Sequence, residues 1–331
     1  MELNIDRVIS YIAAQQESNG SFATYEAYPV VNPRAGWTLL PDPSPFITAN
    51  ILFALIQVND PRLKPVIERG ANNLLKSKEG AGFWRFWPVK SKQHPLPPDL
   101  DDTSIALSVL ARCGYHFNNR NILLSNVSKD GYFETWFRPR WANFFTSPVA
   151  TYRFVNDYFL ARPTHKLKYF AYGDKEPAIA ANALLYLGEN EQTQPCIKQI
   201  VTEVKTGAMP RKFYDDDVVI YYHLSRAHAN GIKSFKEIGN TIAQKLLQRF
   251  TTSEENVFLR CMAANILLDF GLELKLAEDL LLSVANSEYY PDKWVTDAYF
   301  CSNDKNFLAG SPALTAAVFA EGCAKLNRIK Q

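Results

Sequence analysis

The chain has 331 residues, with 36 lysines and arginines against 34 aspartates and glutamates, so its formal net charge is only +2. This balance, without a block of like charge, argues against a nucleic-acid partner. Five cysteines lie far apart without a C-x-x-C pair, which is typical of neither a disulfide framework nor a cysteine-rich zinc site. We therefore expect a reduced, cytoplasmic protein, and 47% hydrophobic residues suffice for a substantial core.

The N-terminal segment shows no sign of a targeting sequence. Residues 1–16 are amphipathic, contain acids and lack the apolar core of a signal peptide. Along the rest of the chain, no apolar run reaches the ~18 residues that a membrane span requires. We expect no transmembrane segment, and the sequence leaves peripheral membrane contact and oligomer formation open.

One layout recurs along the chain: a polar or Pro/Gly-rich loop followed by an apolar helix that is rich in small residues. Six segments share this layout: 44–58, 101–114, 176–188, 215–231, 256–271 and 311–326. Each begins with a capping residue or a proline, and several end near a glycine, as helices do. More polar helices lie between them, such as 60–77 and 234–250, and alternating strand patterns are scarce. The chain is therefore predicted to be all-α.

The alternation of apolar and polar helices predicts how they pack. Apolar helices would form an inner ring and polar helices an outer ring, which is an (α/α)6 barrel, or toroid, of helical hairpins. An open solenoid would satisfy the same pattern. Because no low-complexity linker divides the chain, we predict a single closed barrel domain over residues 1–331.

A glycine followed two residues later by an aromatic residue recurs in the loops. Segment 16–22 has the pattern Q-x3-G-x-F, segment 78–84 has K-x3-G-x-W, and segment 127–133 keeps only G-x-F. Such a glycine suits a tight turn that places a ring across a helix end. We expect these turns to join neighbouring repeats and to have no chemistry of their own.

Three aspartates, Asp99, Asp101 and Asp102, stand at the start of the second apolar helix. Neighbouring carboxylates repel one another, so such a cluster indicates a helix cap, a metal site or a site that handles a proton. Crowding and burial raise a carboxyl pKa above its free value of about 3.9, which would let one group keep a proton near neutral pH. Capping by Asp and Thr is the simpler alternative.

The glycine-aromatic turns, the helical hairpins and the D-x-D-D sequence at 99–102 together resemble the squalene-hopene cyclase and class II terpene cyclase superfamily. The resemblance implies cyclisation that begins with protonation, with Asp101 as the proton donor and Asp99 and Asp102 orienting it. Familiar members have two barrels, whereas this chain has room for about one, like the drimenyl-diphosphate-type cyclases. Those relatives tend to have threonine at the position of Asp102. Without their phosphatase domain, any diphosphate is expected to remain on the product.

The resemblance also implies the substrate and the rest of the site. The substrate would be a linear prenyl diphosphate, farnesyl or geranylgeranyl, which suits one small barrel better than squalene does. Mg²⁺ would take part only through the diphosphate. Aromatic faces stabilise carbocations, and 13% of the residues are aromatic. The predicted substrate-binding residues are Phe83, Trp84, Trp136, Tyr222 and Trp294, with Arg138 and Arg140 at the diphosphate and His223 as a partner of the acids.

Other functions remain open. An α/α-barrel glycoside hydrolase would use two carboxylates in an aromatic cleft, for which Asp101 and Asp216 are candidates. A non-catalytic helical-repeat protein would bind a lipid or another protein, and its function would survive the substitution Asp101→Asn. A protein prenyltransferase would need a zinc site of Asp, Cys and His, and the sequence has no D-x-C with a matching downstream histidine.

Overall fold

The computed structural model describes residues 5–28, 36–80, 82–88, 96–137, 173–252, 256–302 and 304–331, together with the single positions 148, 152 and 155. Within these residues there are twelve α-helices. They are α1 (Asp6–Gln15), α2 (Pro45–Val58), α3 (Lys64–Ser77), α4 (Leu100–Arg112), α5 (Arg120–Ser125), α6 (Pro177–Leu187), α7 (Gln194–Thr206), α8 (Asp217–Ala229), α9 (Lys236–Thr252), α10 (Val257–Phe270), α11 (Leu274–Ala285) and α12 (Pro312–Lys330). Short 3-10 turns at Pro61–Leu63 and Lys233–Phe235 precede α3 and α9.

The even-numbered helices form a closed inner ring. Each contacts the next, from α2 through α4, α6, α8 and α10 to α12, and α12 contacts α2 again. The odd-numbered helices pack outside this ring, each against one or two inner helices or their neighbours. The predicted α/α barrel is therefore confirmed, and the open solenoid is excluded because the ring closes.

Composition explains which helices lie inside. Inner helices are buried on all sides: in α6 every residue except Tyr186 is buried. Outer helices bury one stripe, as α1 does with Val8, Ile9 and Ile12. A helix that is apolar all round can be stable only where neighbours cover every face, and alanine-rich segments such as α6 let those neighbours approach closely. Prolines in the first turn of α2, α6 and α12 start these helices without losing a backbone bond.

A small sheet, absent from the sequence prediction, lies beside the start of two inner helices. Its strands are β1 (Tyr25–Ala27), β2 (Thr38–Leu39), β3 (Phe300–Cys301) and β4 (Leu308–Gly310), all paired antiparallel in the order β2-β1-β4-β3. Strands of two or three residues are too short to show an alternating pattern. The β1–β4 pairing joins the segment before α2 to the segment before α12.

Loops at the same end of the barrel hydrogen-bond to one another. Leu100 N donates to Thr135 O at 2.8 Å, and Thr135 N donates to Asp174 O at 2.8 Å. Further round the ring, Cys301 N donates to Phe213 O at 2.9 Å. These bonds tie together the loops that precede the inner helices, so side chains from distant repeats can be held in one site.

The first glycine-aromatic turn joins two outer helices. Gly20 has a φ of +91°, and a Cβ there would lie 2.2 Å from the carbonyl oxygen of Arg69. The Gln16 side chain donates to Gly20 O at 3.0 Å and to Val66 O at 2.8 Å. The turn therefore links the end of α1 to α3, as the pattern predicts. No helix among the described residues has both the length and the apolarity needed to cross a membrane.

Candidate active site

The three predicted acids lie together at the start of inner helix α4. Asp99 is the N-cap, and its Oδ1 accepts a hydrogen bond from Asp102 N at 2.8 Å. Asp101 and Asp102 occupy the first turn, and all three side chains are buried. Asp99 therefore does cap the helix. Capping does not account for Asp101, because its carboxyl group contacts other parts of the barrel.

Two donors from other repeats hold the Asp101 carboxyl group. Asn182, on inner helix α6, donates from Nδ2 to Oδ1 at 2.7 Å. Tyr214, in the loop before α8, donates from its hydroxyl to Oδ2 at 2.5 Å. Both partners are buried. Because each oxygen accepts from a fixed donor, the carboxyl group has one orientation relative to the barrel.

Burial keeps protons in this cluster near neutral pH. It raises the pKa of Asp101 to about 6, against the lowering effect of the Tyr214 and Asn182 hydrogen bonds. Burial, followed by the charge of Asp101, raises the pKa of Asp99 to about 8, and burial raises that of Asp102 well above its usual value. A fraction of Asp101 is therefore protonated near neutral pH.

A buried chain of hydrogen bonds continues from Asn182. Its Oδ1 lies 3.2 Å from His223 Nδ1, and His223 Nε2 lies 3.0 Å from the hydroxyl of Tyr299. Since the amide nitrogen of Asn182 faces Asp101, its carbonyl oxygen faces His223, and only a protonated Nδ1 can pair with it. The orientation of Asn182 therefore favours the His223 tautomer with hydrogen on Nδ1.

A buried arginine closes the far end of this chain. Arg226 donates to Asn50 Oδ1 at 3.0 Å, and the Tyr299 hydroxyl donates to the same oxygen at 2.7 Å. The guanidinium carbon lies 4.1 Å from the centre of the Phe53 ring. Burial first, and then the charge of Arg226, lower the pKa of His223 well below its usual 6.5. The imidazole is therefore neutral, in agreement with the tautomer assignment.

Aromatic rings surround Tyr214 at the end of the barrel where the inner helices start. The Tyr214 ring packs edge-on against Phe300 at 6.1 Å, and Phe300 stacks on Phe86 at 5.0 Å and on Phe213 at 6.0 Å. We call these rings and their neighbours the aromatic cluster. Its members are Phe46, Phe86, Trp87, Trp136, Phe213, Phe300 and Phe307. The cluster is linked to Asp101 through Tyr214, whose ring packs against Phe300 and whose hydroxyl donates to the acid.

The structure brings some predicted site residues to the acids. Trp136 pairs through its backbone with Asp99, and its ring packs against Phe213 at 6.0 Å. His223 reaches Asp101 through Asn182, as described above. Tyr222 is in the same helix as His223, but its hydroxyl donates to Glu321 Oε2 at 2.6 Å.

Other predicted residues lie elsewhere. Trp84 donates from its indole nitrogen to Leu74 O at 2.8 Å, so it is packed towards outer helix α3. Phe83 packs against Phe137. Trp294 packs against Phe319 on α12, with ring centres 5.2 Å apart. Arg138 and Arg140 lie outside the described residues.

Sequence reasoning missed the direct partners of Asp101. Asn182 and Tyr214 lie 81 and 113 positions from it, so no local motif links them. One signal existed: the dipeptide Ala-Asn recurs in three inner helices, ending at Asn50, Asn182 and Asn265. A polar amide repeated within otherwise apolar helices indicates a buried hydrogen-bonding position.

The sequence also left a glycoside hydrolase site and a metal site open. Asp216, the candidate second carboxylate of a glycoside hydrolase, caps α8 by accepting from Val218 N and pairs with Arg249 at 2.7 Å. Within the part of the chain that the structure describes, no group of three or more His, Cys, Asp or Glu side chains is placed to hold a metal ion.

Solved structures share this architecture. The type II terpene cyclase MstE from Scytonema has a TM-score of 0.67 at 11% identity, over 98% of both chains. A variant of it, in complex with geranylgeranyl dihydroxybenzoate as substrate, has a TM-score of 0.63 at 11% identity, over 98% of this chain and 96% of that one. ent-Copalyl diphosphate synthase from Streptomyces platensis has a TM-score of 0.54 at 15% identity, over 86% of this chain and 50% of that enzyme.

These structural similarities show the fold. No protein-family model matches the sequence, and no curated protein matches it. At 11–15% identity, the structural neighbours establish architecture and nothing finer. The chain thus has a class II terpene cyclase-like α/α barrel, as its sequence pattern predicts.

Proposed function

We propose that the protein is a class II terpene cyclase, an isomerase or lyase that cyclises a linear isoprenoid by protonating its terminal alkene. The observation that carries this proposal is the Asp101 carboxyl group. It is buried at the start of an inner helix, is held by Asn182 and Tyr214, and has a pKa raised to about 6. Tyr214 in turn packs against Phe300 of the aromatic cluster. A proton donor next to ring faces is what such a cyclisation requires.

The first step moves one proton from Asp101 to the terminal alkene. The π electrons of the alkene form the new C–H bond, and a tertiary cation forms at the adjacent carbon. Asp101 becomes a carboxylate, which Tyr214, Asn182 and the N-terminus of α4 stabilise. Because these donors interact more strongly with the carboxylate than with the acid, they favour the transfer itself.

The following steps need a dry, aromatic surrounding. Each further alkene donates its π electrons to the cation and closes a ring, which moves the positive charge along the chain. A ring face near the charge contributes about 0.5–2 kcal/mol. The last cation either loses a proton, which makes the product an isomer of the substrate, or captures a water molecule. Phe86, Phe213 and Phe300 are the described rings that we place against the first cation.

We propose a linear prenyl diphosphate, farnesyl or geranylgeranyl, as the substrate. The fold is shared by a cyclase that was solved with a geranylgeranyl compound, which supports a prenyl chain of this length. Arg138 and Arg140 remain the predicted diphosphate ligands. Mg²⁺ enters the proposal only as a counter-ion that the diphosphate brings with it.

Described lysines also lie near the aromatic cluster. Lys212 pairs with the buried Asp174, and Lys305 lies 3.2 Å from Asp215. Both side chains are about one-third exposed, at 35% and 32%. A diphosphate that approached Phe213 and Phe300 would meet these two ammonium groups, although each has a carboxylate partner.

A product assay tests the proposal. Purified protein with Mg²⁺ is incubated separately with farnesyl and geranylgeranyl diphosphate, and the products are dephosphorylated and analysed by gas chromatography–mass spectrometry. We expect a cyclic alcohol that disappears in Asp101→Asn and persists in the control Asp130→Asn, whose carboxylate is half-exposed and pairs with Lys175. Linear alcohols alone from both diphosphates, together with squalene-type polyenes recovered unchanged, would contradict the proposal. Activity on a glycan would instead favour the hydrolase, and binding without turnover the repeat scaffold.

A further inference from the structure

Glu176 is a fully buried carboxylate outside the D-x-D-D sequence, directly before α6. Its Oε2 accepts from the backbone nitrogen of Phe213 at 2.8 Å, and its Oε1 accepts from the backbone nitrogen of Tyr214 at 3.1 Å. Burial raises the pKa of Glu176 to about 8, while the two backbone donors lower it. Both oxygens accept, so each of these two backbone N–H groups has an acceptor.

The segment that Glu176 holds carries three groups of the site. Tyr214 donates to Asp101, the Phe213 ring belongs to the aromatic cluster, and Lys212 pairs with Asp174. This segment connects outer helix α7 to inner helix α8 and has no helical or strand hydrogen bonds of its own. Besides Glu176, Cys301 N binds the segment, at Phe213 O, and Lys305 Nζ donates to Lys212 O at 3.3 Å. Glu176 is the side chain that binds the backbone nitrogens of Phe213 and Tyr214.

We propose that Glu176 is a positioning residue for the acid: it fixes the backbone at 213–214 so that the Tyr214 hydroxyl reaches Asp101. Its catalytic meaning rests on the proposed function, but its effect on Asp101 does not. A carboxyl group suits this role because two successive backbone N–H groups need two acceptors. Glutamine offers one acceptor and a mismatched donor, and alanine leaves both N–H groups buried without a partner.

The test follows the titration of Asp101 itself. Aspartate carbons are isotopically labelled at the carboxyl group, and the Asp101 signal is identified by its absence in Asp101→Asn. We expect Glu176→Ala to raise the pKa of Asp101 by about one to two pH units, because a donor that favours the carboxylate is lost. Tyr214→Phe should give the same shift. Glu176→Ala added to Tyr214→Phe should give almost no further shift, since both changes remove one interaction.

Glu189 provides a matched control. It follows the other end of α6, and its carboxylate binds the backbone nitrogen of Ser234 at 3.1 Å, as well as the Ser234 hydroxyl. Glu189→Ala thus removes the same kind of loop contact far from Asp101 and should leave the Asp101 titration unchanged. A general loss of stability would affect both variants alike and would not separate them.

The outcomes decide the proposal either way. An unchanged Asp101 titration in folded Glu176→Ala, while Tyr214→Phe shifts it, would overturn the positioning role. If Glu176→Ala does not fold, Glu176→Gln replaces it, with a smaller rise as the expected result and no rise as the contrary one. The titration requires no substrate. A protein that lacks cyclase activity would therefore overturn the proposed function while leaving this result intact.

Discussion

The Tyr214 hydroxyl donates a hydrogen bond to Asp101 Oδ2 at 2.5 Å, although 113 positions separate the two residues in the chain. The bond crosses from the loop before α8 to the first turn of α4, two helices that are not neighbours in the inner ring. It stabilises the carboxylate form of the acid, whereas burial favours the protonated form. The pKa of Asp101, about 6, is set by these opposing effects.

Removal of that hydroxyl should therefore weaken catalysis without unfolding the barrel. In Tyr214→Phe the Asp101 carboxylate loses a charge-assisted hydrogen bond, so proton transfer becomes less favourable. We expect kcat to fall roughly 10- to 100-fold. Activity requires protonated Asp101 and should decline as pH rises through its pKa, so this decline should move to higher pH in the variant. Rates of product formation measured from pH 5 to 9 would show both effects.

A second buried tyrosine serves as the control for this variant. Tyr132 donates from its hydroxyl to Glu203 at 3.0 Å, in a contact with an outer helix. Tyr132→Phe should lower stability by an amount similar to that in Tyr214→Phe and leave the pH profile of activity in place. Equal pH profiles in the wild type and Tyr214→Phe would contradict the role assigned to the Tyr214 hydroxyl.

Stability should fall as pH rises from 5 to 8. Burial raises the folded-state pKa of Asp101 to about 6, and those of Asp99 and Glu176 to about 8, so the folded state binds more protons here than the unfolded chain. Each extra bound proton lowers the free energy of unfolding by about 1.4 kcal/mol per pH unit. His223 acts in the opposite direction, because its pKa is lowered, but it is one group against three.

Denaturant unfolding at pH 5 and pH 8 would measure this slope. Asp99→Asn keeps a good N-cap residue and removes one of the raised carboxyl groups. We expect the free energy of unfolding to depend less steeply on pH in this variant. Any loss of stability relative to the wild type should therefore be smaller at pH 8 than at pH 5. A wild-type protein that becomes more stable between pH 5 and 8 would refute the burial argument.

The imidazole of His223 should stay neutral and carry its proton on Nδ1. The tautomer follows from the orientation of Asn182, whose amide nitrogen is occupied by Asp101. Nitrogen NMR distinguishes the two ring nitrogens, and the signal can be assigned by its loss in His223→Gln. We expect no titration of this ring between pH 5 and 8. A proton on Nε2 instead would mean that Asn182 presents its carbonyl oxygen to Asp101.

The first glycine-aromatic turn should matter for stability and not for chemistry. Gly20→Ala places a Cβ against the Arg69 carbonyl at a φ of +91°, and we expect a loss of about 1–3 kcal/mol in the free energy of unfolding. Gly36→Ala is the control, because a Cβ there meets nothing within 4 Å. Product formation per folded molecule should be the same in both variants. If Gly20→Ala were as stable as the wild type, the turn would have to change its backbone conformation to accommodate the Cβ.

The barrel could be predicted from the sequence because its signal is repeated. Apolar, alanine-rich helices such as α6 alternate with helices that have one apolar stripe, and this contrast is local to each segment. The start of α4 was equally visible, since Asp99, Asp101 and Asp102 stand together. Repetition and adjacency are properties that a single sequence displays directly.

The partners of the acid could not be predicted in the same way. Asn182, Tyr214 and Glu176 are single polar residues from other repeats, and only closure of the ring brings them to Asp101. Trp84 and Trp294 show the converse limit. Both are large rings near predicted helix starts or loops, but the structure packs them against α3 and α12. Ring size predicts burial, whereas the direction that a ring faces depends on tertiary packing.

The most direct measurement is cyclisation carried out in deuterium oxide. If Asp101 protonates the alkene, its exchangeable deuteron becomes part of the product skeleton. We expect a single carbon-bound deuterium, on the ring methylene next to the gem-dimethyl carbon, because protonation of the terminal alkene creates that methylene. We expect no cyclic product from Asp101→Asn. A cyclic product without carbon-bound deuterium, or one that Asp101→Asn still forms, would contradict the assignment of Asp101 as the proton donor.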